Sequence, residues 1–508
     1  MGQRLHGVIE GFYGTPWGWD RRVEVMRFCA ERGLGHYLYA PKSDPLHREQ
    51  WRTPYPDTEI GGFTRLAEEG GVTVGFGISP GLSIDPTSAE DRAALGAKVD
   101  QVIAAGVGLI GLLLDDIPVR PGLGEEHAAL TTWLHEHLDD RAALVMCPTE
   151  YTGTRSTPYL AAIAAGVPED VPIFWTGSTV VCDHITNAEA HERAEALAGR
   201  PPLVWDNYPV NDATMTDRLF LGPVRGREPG LAEACAGWFA NPMIQPRASK
   251  LPLASVAAFL RWDDPVSAWE HDADALGWRV LAEGCDGVHP NDLVTGLEAA
   301  VGTPQWGPSL DLLETWLDAA GSVTAPGLDD EAGPWIDQLR DEASLGRTAT
   351  RLIQSAHPVV ALDAEGRGRV APPDTVAVAP TALALAVGWG PLRRSTVCVL
   401  GPRLSVRPVL GQDADGEWVF HRASIDHDRN ALDRLVVLAL DVAERCRAGD
   451  PLDVHLADGT PVEVAADGSF TAPPGVPVTA RCGPAATAVE PGGGPPLPER
   501  RLAPPTAV

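Results

Sequence analysis

The sequence predicts an α/β protein whose first half forms a closed (β/α)8 TIM barrel, and three observations lead to this prediction. Short apolar runs recur eight times between residues 6 and 240. Segments with helical character separate successive runs, and polar or aromatic residues follow most of the runs directly. Alternating strands and helices favour parallel strands joined by right-handed crossovers. Eight such units match a barrel that carries its functional residues on one rim.

The eight apolar runs are short, and several are rich in β-branched or aromatic residues, as is typical of buried strands. We predict strands at His6–Glu10, His36–Ala40, Val72–Ile78, Leu109–Asp115, Ala143–Cys147, Pro172–Trp175, Pro202–Trp205 and Gly237–Ala240. A doubly wound open sheet is the alternative arrangement of parallel strands. It often has a glycine-rich phosphate loop after its first strand, and Gly11-Phe-Tyr-Gly14 does not match the G-x-G-x-x-G pattern of such a loop.

Three of the intervening segments have clear helical features. Arg21–Arg32 carries its apolar residues on about one face, as expected of a helix that packs on a sheet. Ala89–Ala105 follows Ser88, a residue type that commonly caps a helix N-terminus. Asn187–Ala198 is rich in Ala and Glu, which are strong helix formers. We therefore predict helices in these three crossovers.

The second half of the chain predicts two further domains and a tail. We assign residues 1–250 to the barrel, 251–360 to a helical domain, 361–482 to a small mixed α/β or β-rich domain of unknown role, and 483–508 to a disordered tail rich in Pro, Gly and Ala. Apolar residues at helical spacing predict helices at Val256–Trp262, Ala268–Glu283, Asn291–Val301, Ser309–Ala320 and Glu331–Ser355. In the third domain we predict a helix at Asn430–Arg447, and strands at Thr375–Val387, Ser395–Leu400, Trp418–His421, Asp453–His455, Pro461–Val464 and Ser469–Pro473.

The composition restricts the classes of partner and the compartment. The 508-residue chain is 44% hydrophobic, and its net charge of −29 argues against nucleic acid and anionic membranes as partners. No apolar stretch reaches the roughly 18 residues of a membrane helix, and the first residues show no secretory signal. Eight cysteines are scattered without C-x-x-C spacing. We therefore expect neither a disulfide framework nor a metal site, and we expect a cytoplasmic location.

Two adjacent aspartates, Asp115 and Asp116, end the fourth apolar run. In a confined pocket, mutual repulsion is expected to raise the pKa of one of them, so that one carboxyl keeps its proton while the other stays anionic. This is the requirement for general acid catalysis beside an electrostatic helper. A helix cap or a turn is the alternative interpretation of the pair by itself.

The other strand ends carry residue types that suit a sugar ligand. Sugar hydroxyls need donors and acceptors such as Asp, Asn and Lys, and the C–H face of a sugar stacks on aromatic rings. Because the strand ends of a barrel meet on one rim, we expect the residues that follow the strands to converge. The strand ends with such residues are Glu10–Gly14, Tyr39–Asp44, Asp115–Asp116, Pro148–Tyr151, Trp175–Gly177, Trp205–Tyr208 with Asn211–Asp212, and Asn241–Pro242.

Nine motifs within about residues 5–260 resemble a known enzyme family in their order and spacing. They are Gly7-Val-Ile-Glu-Gly-Phe-Tyr-Gly-Thr-Pro-Trp17, Tyr39-Ala-Pro-Lys42, His47-Arg-Glu-Gln-Trp51, Leu113-Leu-Asp-Asp116, Cys147-Pro-Thr-Glu-Tyr151, Trp175-Thr-Gly177, Trp205-Asp-Asn207, Asn211-Asp212 and Leu219-Phe-Leu-Gly-Pro223. Together they resemble glycoside hydrolase family 84, the β-N-acetylglucosaminidases that include the O-GlcNAcases. One departure is Ser43-Asp44 after Lys42, where the family usually has two aspartates.

The resemblance implies a retaining exo-β-N-acetylglucosaminidase that acts by substrate-assisted catalysis. In such an enzyme the 2-acetamido oxygen of the substrate attacks the anomeric carbon and forms an oxazoline, which is an exception to the scheme with an enzyme nucleophile. By position in the motif, Asp115 resembles the residue that orients the acetamido group, and Asp116 resembles the general acid/base. The family implies no cofactor and no metal. Its substrates are β-N-acetylglucosaminides, such as glycoproteins, oligosaccharides or small glycosides.

Three further positions resemble the family's contacts to the acetamido group. Tyr151 resembles the tyrosine that hydrogen-bonds the acetamido oxygen. Trp205 resembles the indole that lines the methyl pocket, and Asn207 resembles the asparagine that supports this part of the site. These roles rest on the resemblance and are expectations for this chain.

Four more positions resemble the family's contacts to the sugar hydroxyls. The carbonyl of Gly11 and the side chain of Lys42 correspond to the contacts on the 3-hydroxyl side. Asp212 and Asn241 correspond to the ligands of the 4- and 6-hydroxyls. These assignments also rest on the resemblance.

Structural roles and other functions are the alternatives. Trp205 can pack in the core, Lys42 can pair with Asp44 or Asp115, and Gly11 can serve only to permit a positive φ. For the protein as a whole, one alternative is a catalytically inactive N-acetylhexosamine-binding or regulatory protein on the same barrel. Another is a hydrolase of a different β-N-acetylhexosaminide.

Overall fold

Eight parallel strands form the central sheet of the computed structural model, which describes residues 4–301, 306–371, 375–392, 395–401, 408–412, 418–422, 430–447 and 452–482. The strands are β1 (Leu5–Glu10), β2 (His36–Tyr39), β3 (Thr73–Ile78), β4 (Leu109–Leu113), β5 (Ala143–Cys147), β6 (Phe174–Trp175), β7 (Leu203–Asp206) and β8 (Gly237–Ala240). They pair in the order β5-β4-β3-β2-β1-β8-β7-β6, and a parallel bridge between Met146 and Ile173 closes the sheet. The prediction of a (β/α)8 barrel is confirmed.

A helix follows every strand of the barrel. The helices are α1 (Trp19–Arg32), α2 (Asp57–Glu69), α3 (Ala89–Ala104), α4 (Leu123–Leu138), α5 (Pro158–Gly166), α6 (Asn187–Ala196), α7 (Leu231–Ala234) and α8 (Pro246–Leu260). Local sequence sets several of their ends. Gly33 ends α1 with a φ of 78°, the Ser88 side chain caps α3, and Thr186 and Glu189 form a capping box at α6. The three predicted crossover helices are confirmed, with ends that differ by at most two residues.

Strand boundaries differ from the prediction where the chain contains proline and at the aspartate pair. β6 and β7 begin at Phe174 and Leu203, after Pro172 and Pro202, because a proline has no N–H to donate to a neighbouring strand. β4 ends at Leu113. The two aspartates therefore lie in the loop that follows the strand and not in the strand itself.

Side chains of the barrel strands alternate between two apolar clusters. Along β1, Val8 belongs to the large cluster that also contains helix residues, and Ile9 belongs to a smaller cluster formed by residues of the barrel. The smaller cluster includes Ile9, Leu38, Leu113, Val145, Phe174, Leu203, Trp205 and Phe239. These side chains fill the barrel interior, so the barrel has a packed core beneath its rim.

A buried ion pair lies at the end of β1, directly before the loop that contains Gly11. Glu10 is fully buried, and it accepts two hydrogen bonds from the guanidinium of Arg22, at 2.8 and 3.0 Å. The N–H of Trp17 donates to the same carboxylate at 2.9 Å, as does the hydroxyl of Tyr37. This network satisfies the buried charge and connects the first loop of the rim to α1 and β2.

The chain divides into two compact units, and each is made of several segments. The first comprises Met1–Asn291, Ala319–Glu342 and Arg393–Asn430, and the second comprises Asp292–Asp318, Ala343–Leu392 and Ala431–Val508. The helices that follow the barrel are α9 (Pro265–Leu276), α10 (Arg279–Asp286), α11 (His289–Ala300), α12 (Trp306–Gly321) and α13 (Asp329–Ala356). The barrel lies entirely in the first unit.

Two of the five predicted post-barrel helices need correction. The segment Val256–Trp262 is largely the second half of α8, which begins earlier, at Pro246. The segment Ala268–Glu283 is split between α9 and α10, because Gly277 adopts a φ of 70° and ends α9. The remaining three predicted helices are confirmed as α11, α12 and α13.

The C-terminal region contains the largest error of the secondary-structure prediction. Its described elements are β9 (Val359–Leu362), β10 (Arg367–Ala371), α14 (Thr375–Leu392), β11 (Pro408–Gln412), β12 (Trp418–Arg422), α15 (Ala431–Arg447), β13 (Leu452–Leu456), β14 (Pro461–Val462), β15 (Ser469–Thr471) and β16 (Val478–Cys482). Thr375–Val387, predicted as a strand, belongs to α14. Its sequence is apolar on all sides, so periodicity could not separate the two states, and its alanines and leucines favour a helix.

The other C-terminal predictions have mixed outcomes. Ser395–Leu400 was expected to be a strand, but it forms only one bridge, between Cys398 and Arg218. The strands near Trp418, Asp453, Pro461 and Ser469 and the helix of α15 are confirmed. β9, β10, β11 and β16 were not predicted. The predicted disordered tail, 483–508, lies outside the described residues.

Two general features of the described residues bear on the earlier expectations. Six cysteines of the described part of the chain, at positions 29, 147, 182, 235, 285 and 398, take part in no disulfide bond. Cys147 is buried in β5, and Cys182 is partly exposed in a loop. Among the described helices, none combines the length and the apolar character that crossing a membrane requires.

The first prediction concerns the buried Glu10–Arg22 pair. Arg22→Met should lower the free energy of unfolding by about 3–5 kcal/mol, because the Glu10 charge then stays buried without its partner. Urea unfolding followed by tryptophan fluorescence measures the change. Arg65→Met is the matched control, since Arg65 pairs with Asp20 and Glu69 on the surface; this variant should unfold close to the parent. Equal effects of the two substitutions would contradict the prediction.

Candidate active site

The adjacent aspartates point into different surroundings at the rim of the barrel. Asp116 has a φ of 55°, a left-handed conformation that non-glycine residues seldom adopt. Its side chain is 30% exposed, whereas the side chain of Asp115 is only 6% exposed. The tight turn therefore places the Asp115 carboxylate inside the barrel mouth and leaves the Asp116 carboxylate accessible from outside.

Lys42 brings a buried positive charge to both carboxylates. It comes from the loop after β2, and its side chain is 3% exposed. Its ammonium forms a hydrogen-bonded ion pair with Asp115, and Nζ lies 3.6 Å from Asp116 Oδ2. Burial by itself would lower the pKa of Lys42, but the two carboxylates outweigh burial and raise that pKa. The cation thereby offsets the repulsion between the two aspartates.

The surroundings of Asp116 favour its anionic form. Burial acts to raise its pKa, but the charge of Lys42 and hydrogen bonds from Tyr13 and Tyr151 lower it below its usual range. The Tyr13 hydroxyl donates to Oδ2 at 2.9 Å, and the Tyr151 hydroxyl donates to Oδ1 at 3.0 Å. At Asp116 the direction is therefore opposite to the one expected from repulsion. Repulsion would dominate in an isolated pair of aspartates, whereas here the Lys42 cation and the hydroxyls of Tyr13 and Tyr151 surround Asp116.

Asp115 has one oxygen that lacks a partner. Oδ2 receives the ammonium of Lys42. Oδ1 is buried and accepts no hydrogen bond from any residue that the structure describes. A buried carboxylate oxygen without a donor is unfavourable. A bound molecule that presents an N–H or O–H at this position would remove the penalty.

Tyr151 lies beside the pair because the β4 and β5 loops are held together. The Thr149 hydroxyl donates to the Leu114 carbonyl at 2.6 Å, and the Thr149 N–H donates to the Tyr159 hydroxyl at 2.9 Å. The Tyr151 carbonyl accepts the N–H of Thr176 from the β6 loop at 3.1 Å. These contacts fix the backbone on both sides of Tyr151, so its hydroxyl is directed at Asp116.

Trp205, Asn207, Asn241 and Gly11 form one hydrogen-bonded chain across β7, β8 and β1. Asn207 Oδ1 accepts from the Trp205 indole at 3.1 Å and from the Asn241 amide at 2.9 Å. Asn241 Oδ1 in turn accepts the Gly11 N–H at 3.2 Å. The Asn207 amide donates to the Val180 carbonyl, in the loop after β6, at 2.7 Å. The orientation of each side chain in the chain is thus set by its neighbours.

Gly11 is required by close packing and not by a positive φ, which the sequence analysis had left as an alternative. A Cβ at this position would lie 2.5 Å from Cζ2 of Trp205, and Gly11 is not among the glycines with positive φ. Trp205 is 5% exposed, and the Lys42 ammonium lies 5.8 Å from the centre of its ring. The Trp205 indole therefore lies between the hydrogen-bonded amides of Asn207 and Asn241 and the charged groups around Lys42.

Asp212 contacts the rest of the site through Tyr13. Its Oδ2 accepts the backbone N–H of Tyr13 at 2.7 Å, while the Tyr13 hydroxyl contacts Asp116. Burial raises the pKa of Asp212, although the hydrogen bond from the Tyr13 N–H acts in the opposite direction. All nine candidates thus belong to one connected region, but Asp212 forms no direct hydrogen bond with the other eight among the described contacts.

The sequence analysis missed two residues of this region, Tyr13 and Arg48. Tyr13 bridges two candidate carboxylates, and the Arg48 guanidinium donates to the Tyr13 hydroxyl at 3.1 Å. Both residues stand inside motifs that supported the resemblance, next to Gly11 and within His47–Trp51. Their position in those motifs was the available signal, but no chemical role followed from it.

The described residues contain no cluster of three or more His, Cys, Asp or Glu side chains that could hold a metal ion. The charges at the rim are instead arranged around the Lys42 ammonium and the carboxylates of Asp115 and Asp116. The expectation that the protein needs no metal and no cofactor stays a prediction.

The chain is similar in sequence to a family of known proteins. The family profile described as beta-N-acetylglucosaminidase matches residues 6–278. Proteins from Rattus norvegicus and Mus musculus, each named Protein O-GlcNAcase, are 32% identical over 275 residues, which is 51% of this chain. The match spans 30% of the length of each of these relatives.

The fold is also similar to that of a solved structure. A mutant of the Thermobaculum terrenum O-GlcNAc hydrolase matches with a TM-score of 0.68 and 24% identity. The match covers 88% of this chain and 97% of that one. At this identity the likeness supports the architecture, namely a barrel with further C-terminal helical and small-sheet regions.

The second prediction concerns Gly11. Gly11→Ala should lower the free energy of unfolding by about 1–3 kcal/mol, because the added methyl group must displace the buried Trp205 indole. Gly35→Ala is the matched control, since a Cβ there has no atom within 4 Å and Gly35 has no positive φ and lies outside the helices. Chemical unfolding of both variants measures the difference. A Gly11→Ala variant as stable as the control, with the indole unmoved in its crystal structure, would contradict the packing argument.

Proposed function

The chain belongs to the β-N-acetylglucosaminidase family of glycoside hydrolases, and we propose that it removes terminal β-linked N-acetylglucosamine by retaining, substrate-assisted hydrolysis. The two mammalian relatives named Protein O-GlcNAcase support this substrate class. The unpartnered, buried Oδ1 of Asp115 beside Asp116 is the observation that carries the proposal. An acceptor at that place fits the N–H of a 2-acetamido group.

In the proposed first step the substrate supplies its own nucleophile. The acetamido N–H donates to Asp115, whose negative charge stabilises the positive charge that develops on the amide. The acetamido oxygen then attacks the anomeric carbon while the bond to the leaving oxygen breaks. Asp116 donates its proton to that oxygen, so the aglycone leaves as a neutral alcohol and a protonated oxazoline forms, with its N–H still hydrogen-bonded to the Asp115 anion.

In the proposed second step Asp116 acts as a base. It takes a proton from water, and the resulting nucleophile attacks the anomeric carbon from the side that the aglycone has left. The oxazoline ring opens, the acetamido group is restored, and the sugar is released with its original configuration. Asp116 is then protonated again, so the cycle closes with the consumption of one water molecule. Its 30% exposure suits contact with both the aglycone and water.

The remaining candidates divide into two groups in this proposal. Trp205 lines the pocket of the acetamido methyl group, Asn207 supports the acetamido site, and Tyr151 turns from Asp116 to the acetamido oxygen. Gly11 and Lys42 bind the 3-hydroxyl side, and Asp212 with Asn241 binds the 4- and 6-hydroxyls. The hydrogen bonds among these residues support the proposal because they pre-orient the donors and acceptors before a sugar arrives.

Turnover of an aryl β-N-acetylglucosaminide by the whole chain is the direct test. The expected products are free N-acetylglucosamine and the phenol, with the β-anomer formed first. Tight binding of N-acetylglucosamine with no turnover would instead favour an inactive binding protein. Preference for the N-acetylgalactosaminide would keep the chemistry but change the substrate.

The third prediction separates the roles of the two aspartates. Asp116→Ala should reduce kcat/KM by about 10²–10⁴-fold on an alkyl glycoside, because a poor leaving group needs the proton. On a 4-nitrophenyl glycoside the loss in kcat/KM should be clearly smaller. Asp115→Ala should reduce turnover of both substrates, since the attack by the acetamido oxygen is required whichever group leaves. Equal losses on both substrates for Asp116→Ala would rule out its role as the acid.

The fourth prediction concerns pH dependence. In the free enzyme Lys42, Tyr13 and Tyr151 lower the pKa of Asp116. If Tyr151 turns to the acetamido oxygen on binding, Asp116 loses one donor and its pKa rises. Because the acid must be protonated, its ionisation sets the basic limb of the activity profile. That limb should therefore lie at higher pH for kcat, which reports the complex, than for kcat/KM, which reports the free enzyme.

An alkyl glycoside is the substrate of choice for this measurement, since its cleavage depends most on the acid. Tyr151→Phe should reduce the separation between the two profiles, because the variant has no hydroxyl to move. A basic limb for kcat at the same or a lower pH would contradict the proposed movement of Tyr151.

A further inference from the structure

Arg48 contacts Tyr13, the residue whose hydroxyl is hydrogen-bonded to Asp116, the proposed acid. It lies in the loop between β2 and α2, directly after a short 3-10 turn at Pro45–His47. Its Nη1 atom donates to the Tyr13 hydroxyl at 3.1 Å, and that hydroxyl donates to Asp116 Oδ2 at 2.9 Å. The guanidinium carbon also lies 5.8 Å from the centre of the Tyr13 ring. Arg48 thus acts on Asp116 through one intervening phenol.

The turn that presents Arg48 is firmly held. Asp44 caps it by accepting the Leu46 N–H at 2.8 Å, and the same side chain accepts from the hydroxyls of Tyr39 and Tyr55 at 2.8 and 2.5 Å. His47 is fully buried, with a hydrogen bond between its Nε2 and the Pro41 carbonyl at 2.9 Å. The position of Arg48 is therefore built into the loop and does not depend on a flexible segment.

Arg48 can orient the Tyr13 hydroxyl because that hydroxyl has only one proton to donate. A tyrosine hydroxyl has one proton and can also accept. Because the guanidinium can only donate, the Tyr13 oxygen accepts from Arg48 and its single proton is free to point at Asp116. Among the described residues, Arg48 has no ion pair with a carboxylate that would draw it away from Tyr13. Without Arg48, the Tyr13 hydroxyl could turn to water and leave Asp116 less well oriented.

We propose that Arg48 is a positioning residue: through Tyr13 it holds the Asp116 carboxyl in the orientation that proton transfer to the leaving group requires. This inference rests on the proposed function. The backbone N–H of Tyr13 also donates to Asp212. By holding Tyr13, Arg48 therefore supports the connection between Asp116 and Asp212, the residue proposed to bind sugar hydroxyls.

Other charged and titratable groups also face Asp116, and the test must separate them from Arg48. They are Asp115 on its own loop, Lys42, Tyr13, Tyr151, Cys147 and Asp212. Lys42 and Tyr151 belong to the proposed sugar site itself, and Tyr13 is the residue through which Arg48 acts. Arg48 contacts the acid only through Tyr13, so its removal can leave sugar binding intact while it disturbs proton transfer.

The experiment compares Arg48→Met with Arg120→Met in the whole chain. Arg120 lies four residues after Asp116 in the same rim and pairs with Glu126 on the surface, so it is a control for the loss of one positive charge. Measured at the pH-independent maximum of each profile, Arg48→Met should reduce kcat/KM on an alkyl glycoside about 10-fold, a part of the effect of a general acid, and less than about 3-fold on a 4-nitrophenyl glycoside. KM should change little. Arg120→Met should behave as the parent on both substrates.

Two further readouts distinguish positioning from general structural damage. The basic limb of the kcat/KM profile should move to higher pH in Arg48→Met, because the cation that favours the Asp116 anion is gone. Arg48→Lys keeps the charge, so its limb should stay near that of the parent. In a Tyr13→Phe background, Arg48→Met should cause almost no additional loss, since the connecting hydroxyl is already absent.

The outcomes separate this inference from the function on which it rests. If Asp116→Ala shows no dependence on the leaving group, the assignment of the acid fails. If Asp116→Ala shows that dependence but Arg48→Met matches Arg120→Met, only the role of Arg48 is wrong. Equal losses on both substrates, or additive effects of Tyr13→Phe and Arg48→Met, would also overturn it. Arg48→Lys keeps the test open if Arg48→Met does not fold.

Discussion

A single buried ammonium allows two adjacent carboxylates to share the mouth of this barrel. Without Lys42, the desolvated Asp115 would have no compensating charge and its neighbour would add repulsion. The cation comes from the loop after β2 and the aspartates from the loop after β4, so the arrangement depends on strand order in the closed sheet and not on local sequence. The charge balance in turn determines which groups can surround the pair. Tyr13 and Tyr151 are neutral donors, so they can hydrogen-bond to Asp116 without changing the balance of charge.

Most candidate side chains of the rim depend on residues from other loops, because hydrogen bonds between loops set their orientation. Asn207 is fixed by Trp205 and Asn241, and Tyr13 links two carboxylates that are far apart in the chain. Such cross-links leave few rotamers to be frozen when a ligand binds, and they place dipoles before charge develops. The main unsatisfied position is Asp115 Oδ1. A site whose candidate side chains are mostly oriented in advance, and in which Asp115 Oδ1 lacks a donor, favours a ligand that supplies that donor.

The barrel and the convergence of the candidates could be predicted because both depend on repeated pattern. Apolar runs at regular spacing determine the strands, and barrel closure then brings their ends together, so Lys42, Asp115 and Trp205 meet although their separations in sequence are large. The direction of the pKa shift at Asp116 could not be predicted, because it depends on which side chains approach within hydrogen-bond distance. For the same reason Arg48 was missed. The helix α14 was missed because its apolar residues have no periodic contrast.

The preference of Asp116 for the anion bears on how the proposed reaction begins. An acid whose pKa is lowered in the empty site is largely deprotonated near neutral pH, and it must gain a proton before it can donate one. Two of the groups that hold it anionic, Lys42 and Tyr151, are groups that the sugar is expected to engage. Binding of an acetamido sugar would therefore weaken the interactions that favour the anion and also exclude water from the carboxyl. Both changes raise the pKa of Asp116, so the acid form becomes available when a substrate with the right 2-substituent is in place.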